Sequence, residues 1–369
     1  MNPFCKRHTI HFLTALAQST EPLDLALSRY FRLHKNLGSK DRKTIGDVIY
    51  GMTRWKGLLD WIDPQGSIER RFECYQSLDW NKTLQRPDIP QALRCGLPLF
   101  VYEKLRKQYG EAKAEELGQI LNSPAPTTIR ANLLKISRQE LMERWKDRFA
   151  MTPCKQTSAG IQFAKREPLF TLPEFKEGLF EMQDEGSQMV ADLVEAKPGD
   201  LVLDFCSGSG GKSLSIAPAM QGKGQIYLHD VRKQALLEAK RRLRRAGIQN
   251  AQCLDSSHPQ MQRLLAKCDW VLVDAPCSGT GTFRRNPDQK WKLDEATLAR
   301  LTALQKEICQ KAACYVKPGG KLVYATCSLL KEENEQQLAS LPFSLQKTLV
   351  ILPEKEGPDA FFAAVLEKN

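Results

Sequence analysis

The stretch from Leu201 to Ala217 reads "LVLDFCSGSGGKSLSIA": a hydrophobic run closed by Asp204, a glycine-rich turn, and a segment able to start a helix. Strand, tight turn and helix in this order form the opening unit of a doubly wound α/β sheet, whose ligands bind beyond the carboxyl ends of its strands. The spelling of the turn bears on the ligand. A phosphate-cradling loop requires G-x-x-x-x-G-K-[ST]; Gly211, Lys212 and Ser213 supply its tail, but Cys206 stands where the first glycine belongs. A dinucleotide fingerprint, G-x-G-x-x-G, fits Gly208 and Gly210 and then meets Ser213 in place of its third glycine. Each nucleotide reading is one residue short. A third reading needs only strand, acid, tight glycine turn and helix, the way S-adenosylmethionine is held at the first switch point of such a sheet. The loop meets that requirement without deciding among the three.

Downstream, the apolar runs "QIYLHD", "DWVLVDA" and "GKLVYATCS" alternate with helical stretches, as in a parallel, doubly wound sheet. The expected fold is therefore α/β, a Rossmann-like domain over residues 176–369. Asp204, Asp230, Asp255 (after "AQCL") and Asp274 close successive strands. Any one of them reads equally well as a helix cap or turn residue. Four along one sheet edge point to a ligand, with Asp230 at the second strand end placed to accept hydrogen bonds from ribose hydroxyls.

Upstream, residues 1–105 read as an all-helical domain. In "KTIGDVIYGMTRW", Ile45, Val48, Ile49 and Met52 recur at i, i+3, i+4 and i+7, one face of a helix. Lys35, Lys40, Arg42, Lys43, Arg54 and Lys56 give this domain a basic surface. Residues 106–175 read as a small α+β module, with "EAKAEELGQILN" helical, "SPAPTTIRANLL" turning into a strand, and "SRQELMERWKDRF" helical again.

With 369 residues the chain is long enough for two or three domains, each with a core. Its 54 Lys and Arg against 43 Asp and Glu leave a net charge of +11, which favours a polyanionic partner, nucleic acid first. The basic amino terminus and the short apolar patch after it look superficially like a signal peptide; Ile10, Phe12, Leu13 and Leu16 instead suggest an amphipathic first helix. No apolar run reaches the roughly 18 residues of a membrane span. Eleven cysteines without a C-x-x-C pair show neither a disulfide framework nor a zinc module, so a reducing cytoplasm, no metal, and a monomer by default are expected.

Two cysteines differ from the rest in position. Cys277 in "DAPCSGTG" and Cys327 in "YATCSLLKEENE" each follow a strand directly, at the edge where the cofactor loop lies. Pro276 fixes the backbone before Cys277. With these motifs in place the chain resembles the RNA cytosine carbon-5 methyltransferases of the RsmB and NOL1/NOP2/Sun group. "DFCSGSGGKS" is similar to the group's D-x-C-A-A-P-G-G-K-T loop, "DAPCSGTG" matches its proline-cysteine motif, and "YATCSLLKEENE" resembles its threonine-cysteine motif. "MQDEGSQMVADLV", "RRNPDQKW" and "GPDAFFAAVLEK" are further likenesses; "LGSKDRKTIGDVIYGMTRW" resembles a NusB-like RNA-binding domain and "TTIRANLLK" the small RNA-facing module after it.

The resemblance implies methylation of cytosine carbon 5 in RNA with S-adenosylmethionine as cofactor, ribosomal RNA first and transfer RNA as the alternative. It implies that Cys327 is the nucleophile on carbon 6, that Cys277 assists release of the methylated base, and that Asp274 hydrogen-bonds the amine edge and ring nitrogen of the base. Cofactor contacts carried over are Cys206, Ser207, Gly208, Ser209, Gly210, Gly211 and Lys212 as the loop, Asp230 for ribose, Asp255 for the adenine side and Asp274 near the methionine moiety. Ser207-Gly208-Ser209 departs from the group's Ala-Ala-Pro, so altered cofactor affinity is expected. The run "KRRLRRAG" puts five cations in six positions, 240–245, and reads equally as a solvated face or a phosphate track. A non-catalytic assembly factor retaining the fold is a different class, and it would be expected to lose one or both cysteines. An exocyclic-amine methyltransferase would carry Asn or Asp followed by Pro-Pro and an aromatic where "DAPC" stands.

Overall fold

In the computed structural model, which describes residues 1–339 and 341–369, the chain forms two compact units. One consists of Met1–Pro124 with Thr282–Thr297, the other of Ala125–Gly281 with Leu298–Asn369. The first is helical throughout. Its helix Ser39–Arg54 buries Ile45, Ile49 and Met52 as the periodicity requires, and its first helix, Pro3–Ala17, places Phe12 in the same core. A break after residue 105 would cut the helix Leu99–Tyr109 at a fully buried leucine. That helix and the next, Glu111–Leu121, belong to the helical unit, which ends at Pro124 in the proline-punctuated "SPAP".

The segment Thr282–Thr297, which contains "RRNPDQKW", is anchored within the helical unit. Lys290, fully buried, donates to the carbonyl of Gly96 and to Asn122 Oδ1, both at 2.6 Å. Trp291 Nε1 donates to the carbonyl of Thr53 at 2.6 Å, and Arg54 reaches the carbonyl of Arg284 at 3.1 Å. Burial pushes the Lys290 pKa well down, and a buried amine is tolerated only where its donors are satisfied. This motif therefore has a structural assignment.

The second unit contains two sheets. The smaller joins β1 (Thr127–Ala131), β2 (Met151–Pro153), β3 (Gly160–Phe163) and β4 (Phe180–Met182) in the order β2-β3-β1-β4, all antiparallel. Its helix Arg138–Trp145 starts in a capping box of Ser137 and Glu140 and buries Trp145 against Phe163 and Phe180. Because β4 pairs with β1, the small module extends past the expected limit at residue 175. A three-residue strand is too short to declare itself by alternation.

The larger sheet contains β5 (Leu201–Asp204), β6 (Gln225–His229), β7 (Ala251–Leu254), β8 (Cys268–Asp274), β9 (Val316–Thr326), β10 (Ser344–Ile351) and β11 (Phe361–Glu367). Their order is β10-β11-β9-β8-β5-β6-β7. Strands β5 to β9 are parallel, and β11 pairs antiparallel with both β9 and β10. This is the expected doubly wound, mostly parallel sheet. Strand order reverses between β5 and β8, so the loops after them flank the crevice where such sheets bind ligands. Among the described residues no helix is long and apolar enough to cross a membrane.

Replacing Lys290 with Ala leaves the Gly96 carbonyl and Asn122 Oδ1 buried without their donor, and each such group costs about 1–3 kcal/mol. Urea unfolding is expected to show a loss of that size; unchanged stability would contradict the anchoring role.

Candidate active site

The loop after β5 is built around its acids. Asp204, at the strand end and buried, accepts from Ser213 Oγ at 2.6 Å through Oδ2. Gly208 sits at φ +54°, a left-handed conformation that glycine adopts without strain, and its N–H reaches Asp230 Oδ2 at 2.9 Å. The Ser-Gly-Ser centre thus serves a local geometry: glycine takes the positive φ, and Ser209 offers its Oγ and carbonyl to Arg242 at 2.7 and 3.0 Å.

Asp230 stands where the ribose acceptor was expected, and it is well occupied. It accepts from the Arg232 backbone at 2.8 Å and from that guanidinium at 3.0 and 2.9 Å. Burial opposes its charge, but these bonds hold the Asp230 carboxyl below the usual carboxylate range. Asp255 closes its own turn with Ser257 N and Oγ, at 3.0 and 2.6 Å.

Lys212 lies buried beneath the crevice, its Nζ 2.5 Å from Asp274 Oδ2 at the end of β8. Burial works against the ammonium; Asp274, Asp204 and the Cys327 sulfur outweigh it and push the Lys212 pKa up. A cation is therefore fixed within electrostatic reach of Cys327. Burial, reinforced by Asp204, Asp274 and Asp230, pushes the Cys206 thiol well above its ordinary value, which suits a wall residue rather than a nucleophile.

Beyond β8 and β9 the two motif cysteines meet, with Cys277 Sγ 3.4 Å from Cys327 Sγ. The hydrogen bond to Cys327, then burial, keeps the Cys277 pKa well above the ordinary thiol value. The two sulfurs are in direct hydrogen-bonding contact. Gly281 N–H bonds the Cys327 carbonyl at 2.9 Å, and a Cβ on Gly281 would stand 2.6 Å from the Ala360 carbonyl oxygen and 2.9 Å from that of Cys327, so no larger residue fits.

Two buried atoms of the first loop, Asp204 Oδ1 and Ser207 Oγ, have no hydrogen-bond partner among the described residues. Leaving such groups unpaired costs about 1–3 kcal/mol each unless a ligand satisfies them. S-adenosylmethionine carries an ammonium able to donate to Asp204 Oδ1 and hydroxyls able to bond Ser207 Oγ, the two unpartnered atoms, so these residues fit it. Asp204 was visible in the sequence as a strand-end acid but had no assigned role; its burial and orphan oxygen supply one.

The cation run 240–245 divides. Arg242 and Arg245 turn inward onto Glu181, at 3.1 and 2.5 Å, while Lys240, Arg241 and Arg244 are exposed. A phosphate track through Arg242 and Arg245 is thereby corrected: Glu181 in β4, some sixty residues away in sequence, claims both.

A family profile described as 16S rRNA methyltransferase RsmB/F matches residues 191–342, and a second, described as the RsmF/B-like ferredoxin-like domain, matches 97–169. The chain is 33% identical to the probable ribosomal RNA small subunit methyltransferase B of Synechocystis sp., over 85% of this chain and 75% of that protein. It is 30% identical to ribosomal RNA small subunit methyltransferase B of Enterobacter sp., over 99% of this chain and 83% of that one. The chain belongs to the RsmB/F methyltransferase family. A crystal structure of a methyltransferase homolog protein from Pyrococcus horikoshii, 29% identical, superposes with a TM-score of 0.65 over 76% of this chain and 98% of that one. As an RsmB/F protein the chain is an S-adenosylmethionine-dependent RNA methyltransferase.

Burial raises the Asp204 pKa from 3.8 to about 7. Between these values the folded protein binds a proton that the unfolded chain has released, so this group lowers stability as pH rises from 3.8 to about 7, with no further loss above. Asp204→Asn removes the effect. The variant is expected to melt higher than wild type at pH 8 but not at pH 4, and to bind S-adenosylmethionine about tenfold or more weakly by calorimetry. Equal cofactor affinity would contradict the role given to Asp204.

Proposed function

We propose that this enzyme methylates carbon 5 of a cytosine in RNA, small-subunit ribosomal RNA first, through a covalent adduct with Cys327. The observation carrying this reading is the 3.4 Å contact between Cys277 and Cys327 at the mouth of the cofactor crevice. Carbon 5 of cytosine is a poor nucleophile, and a thiolate added at carbon 6 pushes electron density onto it. When bound, S-adenosylmethionine would supply the methyl group, becoming S-adenosylhomocysteine. Asp274, with Lys212 on one oxygen, would accept from the exocyclic amine of the base, and from its ring nitrogen once that nitrogen is protonated as the thiolate adds. The proton on carbon 5 must then leave and the carbon 6–sulfur bond break, returning Cys327 as thiolate.

The asymmetry of the pair supports the division of labour. The first cause of the raised Cys277 pKa is its hydrogen bond to Cys327, and repulsion from Cys327 adds to it. Release of the base requires Cys277 as thiolate: after giving its proton to solvent, it takes the proton from carbon 5 as the carbon 6–sulfur bond breaks and Cys327 leaves as thiolate. A non-catalytic assembly factor gives no reason to keep two sulfurs in contact. "DAPC" likewise lacks the Pro-Pro-aromatic signature of amine methylation.

The helical unit, resembling a NusB-like domain, and the small sheet are proposed to engage RNA, with Lys35 and Lys40 exposed on the former. Sulfur chemistry with free cysteines throughout suits a reducing cytoplasm. A monomer remains the expected state, with transfer RNA the alternative substrate.

Mixed with RNA and S-adenosylmethionine, Cys277→Ala is expected to accumulate a covalent protein–RNA complex on denaturing gels. Cys327→Ala should form none and lose activity by roughly 10³-fold or more. The opposite pattern reverses the two roles, and trapping by neither variant removes the covalent route.

A further inference from the structure

The sequence motif after Cys327 continues through Glu333 and Asn334, to which the chemistry above gives no task. Glu333 is completely buried. Its Oε1 accepts from the backbone N–H of Ser278 at 2.8 Å and from Gln305 Nε2 at 3.0 Å. Its Oε2 accepts from Ser328 Oγ at 2.5 Å and from Ser278 Oγ. Ser278 follows Cys277 and Ser328 follows Cys327. One carboxylate therefore grips the residue after each reactive sulfur.

The surrounding bonds complete the bracket. Gln305, also fully buried, donates to the carbonyl of Pro276, the residue before Cys277, at 3.0 Å. Asn334 accepts from Thr326 Oγ1 at 2.5 Å and donates to the Ser328 carbonyl at 2.9 Å, fixing the residues on either side of Cys327. Tyr324 in β9 holds the Glu333 carbonyl at 2.6 Å. Neither cysteine loop is regular structure; beyond the strand ends a single backbone bond, from Gly281 N–H to the Cys327 carbonyl at 2.9 Å, joins them, and the remaining links are side chains.

We infer that Glu333 is a positioning residue of the reaction, the clamp that holds the Cys277 and Cys327 loops in one register so that the two sulfurs stay in contact. A carboxylate is required because four donors converge on it. An amide of the same length would replace one acceptor oxygen with a donor facing the two serine hydroxyls, and an apolar side chain would leave those donors buried and unpaired. Base release needs both sulfurs in place, whereas addition needs only Cys327, so loosening the clamp slows release most. The inference deepens the cysteine chemistry proposed above and rests on it.

The test compares wild type, Glu333→Gln, the pair Ser278→Ala with Ser328→Ala, and the combination of all three, on an RNA transcript that wild type methylates. Single-turnover methylation, adduct on denaturing gels, S-adenosylmethionine affinity and thermal midpoint are read for each. Glu333→Gln is expected to slow turnover about tenfold or more, to accumulate adduct, and to bind cofactor within about twofold of wild type. The serine pair should show the same pattern and the combination little more, because residues acting as one unit are not additive. Rates within about twofold of wild type for both Glu333→Gln and the serine pair overturn the clamp. It is equally overturned if effects multiply, or if turnover falls without adduct in proportion to lost folded protein. A Cys327→Ala control separates the levels: its retaining activity sinks the covalent reading itself, while a dead control beside a fully active Glu333→Gln sinks only the clamp.

Discussion

Two sulfur atoms 3.4 Å apart are the contact on which the rest of this active site depends. They belong to loops fifty residues apart in sequence, and they meet because β8 and β9 are parallel neighbours with Asp274 opposite Ala325. The Ala275 N–H still bonds the Ala325 carbonyl at 2.8 Å just beyond the strand end. From there each chain has two residues in which to deliver its cysteine, and beyond the strand ends the loops are joined by the Gly281–Cys327 backbone bond and by side chains. Such sheets lend themselves to this construction, since every parallel strand ends at the same edge.

The crevice carries a concentration of buried charge that a fold selected only for stability would avoid. Asp204 is held with one oxygen unpartnered, Lys212 is buried against Asp274, and Glu333 is buried among hydroxyl and amide donors. Their arrangement divides by location. Asp204 and Asp230 bond within the loops after β5 and β6, Lys212 pairs with Asp274 at the end of β8, and Glu333 bonds the residue after each motif cysteine. Lys212 thus ties the loop after β5 to the end of β8 through one side chain.

Much of this was legible in the sequence, and what was not has identifiable physical causes. The apolar runs ending in Asp204, Asp230, Asp255 and Asp274 gave away the parallel sheet because buried parallel strands read as nearly continuous hydrophobic stretches. Cys277 and Cys327 were singled out by following strands directly. The short β4 carried no periodicity, so its pairing with β1 and the extent of the small module stayed hidden. The helix Leu99–Tyr109 runs through residue 105, so a boundary drawn there by texture falls inside one element. Arg242 and Arg245 read equally as a solvated face or a phosphate track, because Glu181, which pairs with both, is remote in sequence. The clamp of Glu333 is likewise non-local, reaching 55 residues back to Ser278.

The covalent role of Cys327 is the central claim, and its most direct test uses RNA in which cytosine carries fluorine at carbon 5. Fluorine cannot leave as a proton does, so an adduct formed at carbon 6 and methylated at carbon 5 cannot be released. After incubation of the wild-type protein with this RNA and S-adenosylmethionine, nuclease and protease digestion followed by mass spectrometry identifies the modified peptide. The account predicts a methylated fluorocytosine nucleotide on the peptide containing Cys327 and none on that containing Cys277. Attachment at Cys277, or turnover that leaves no attached nucleotide, would contradict it.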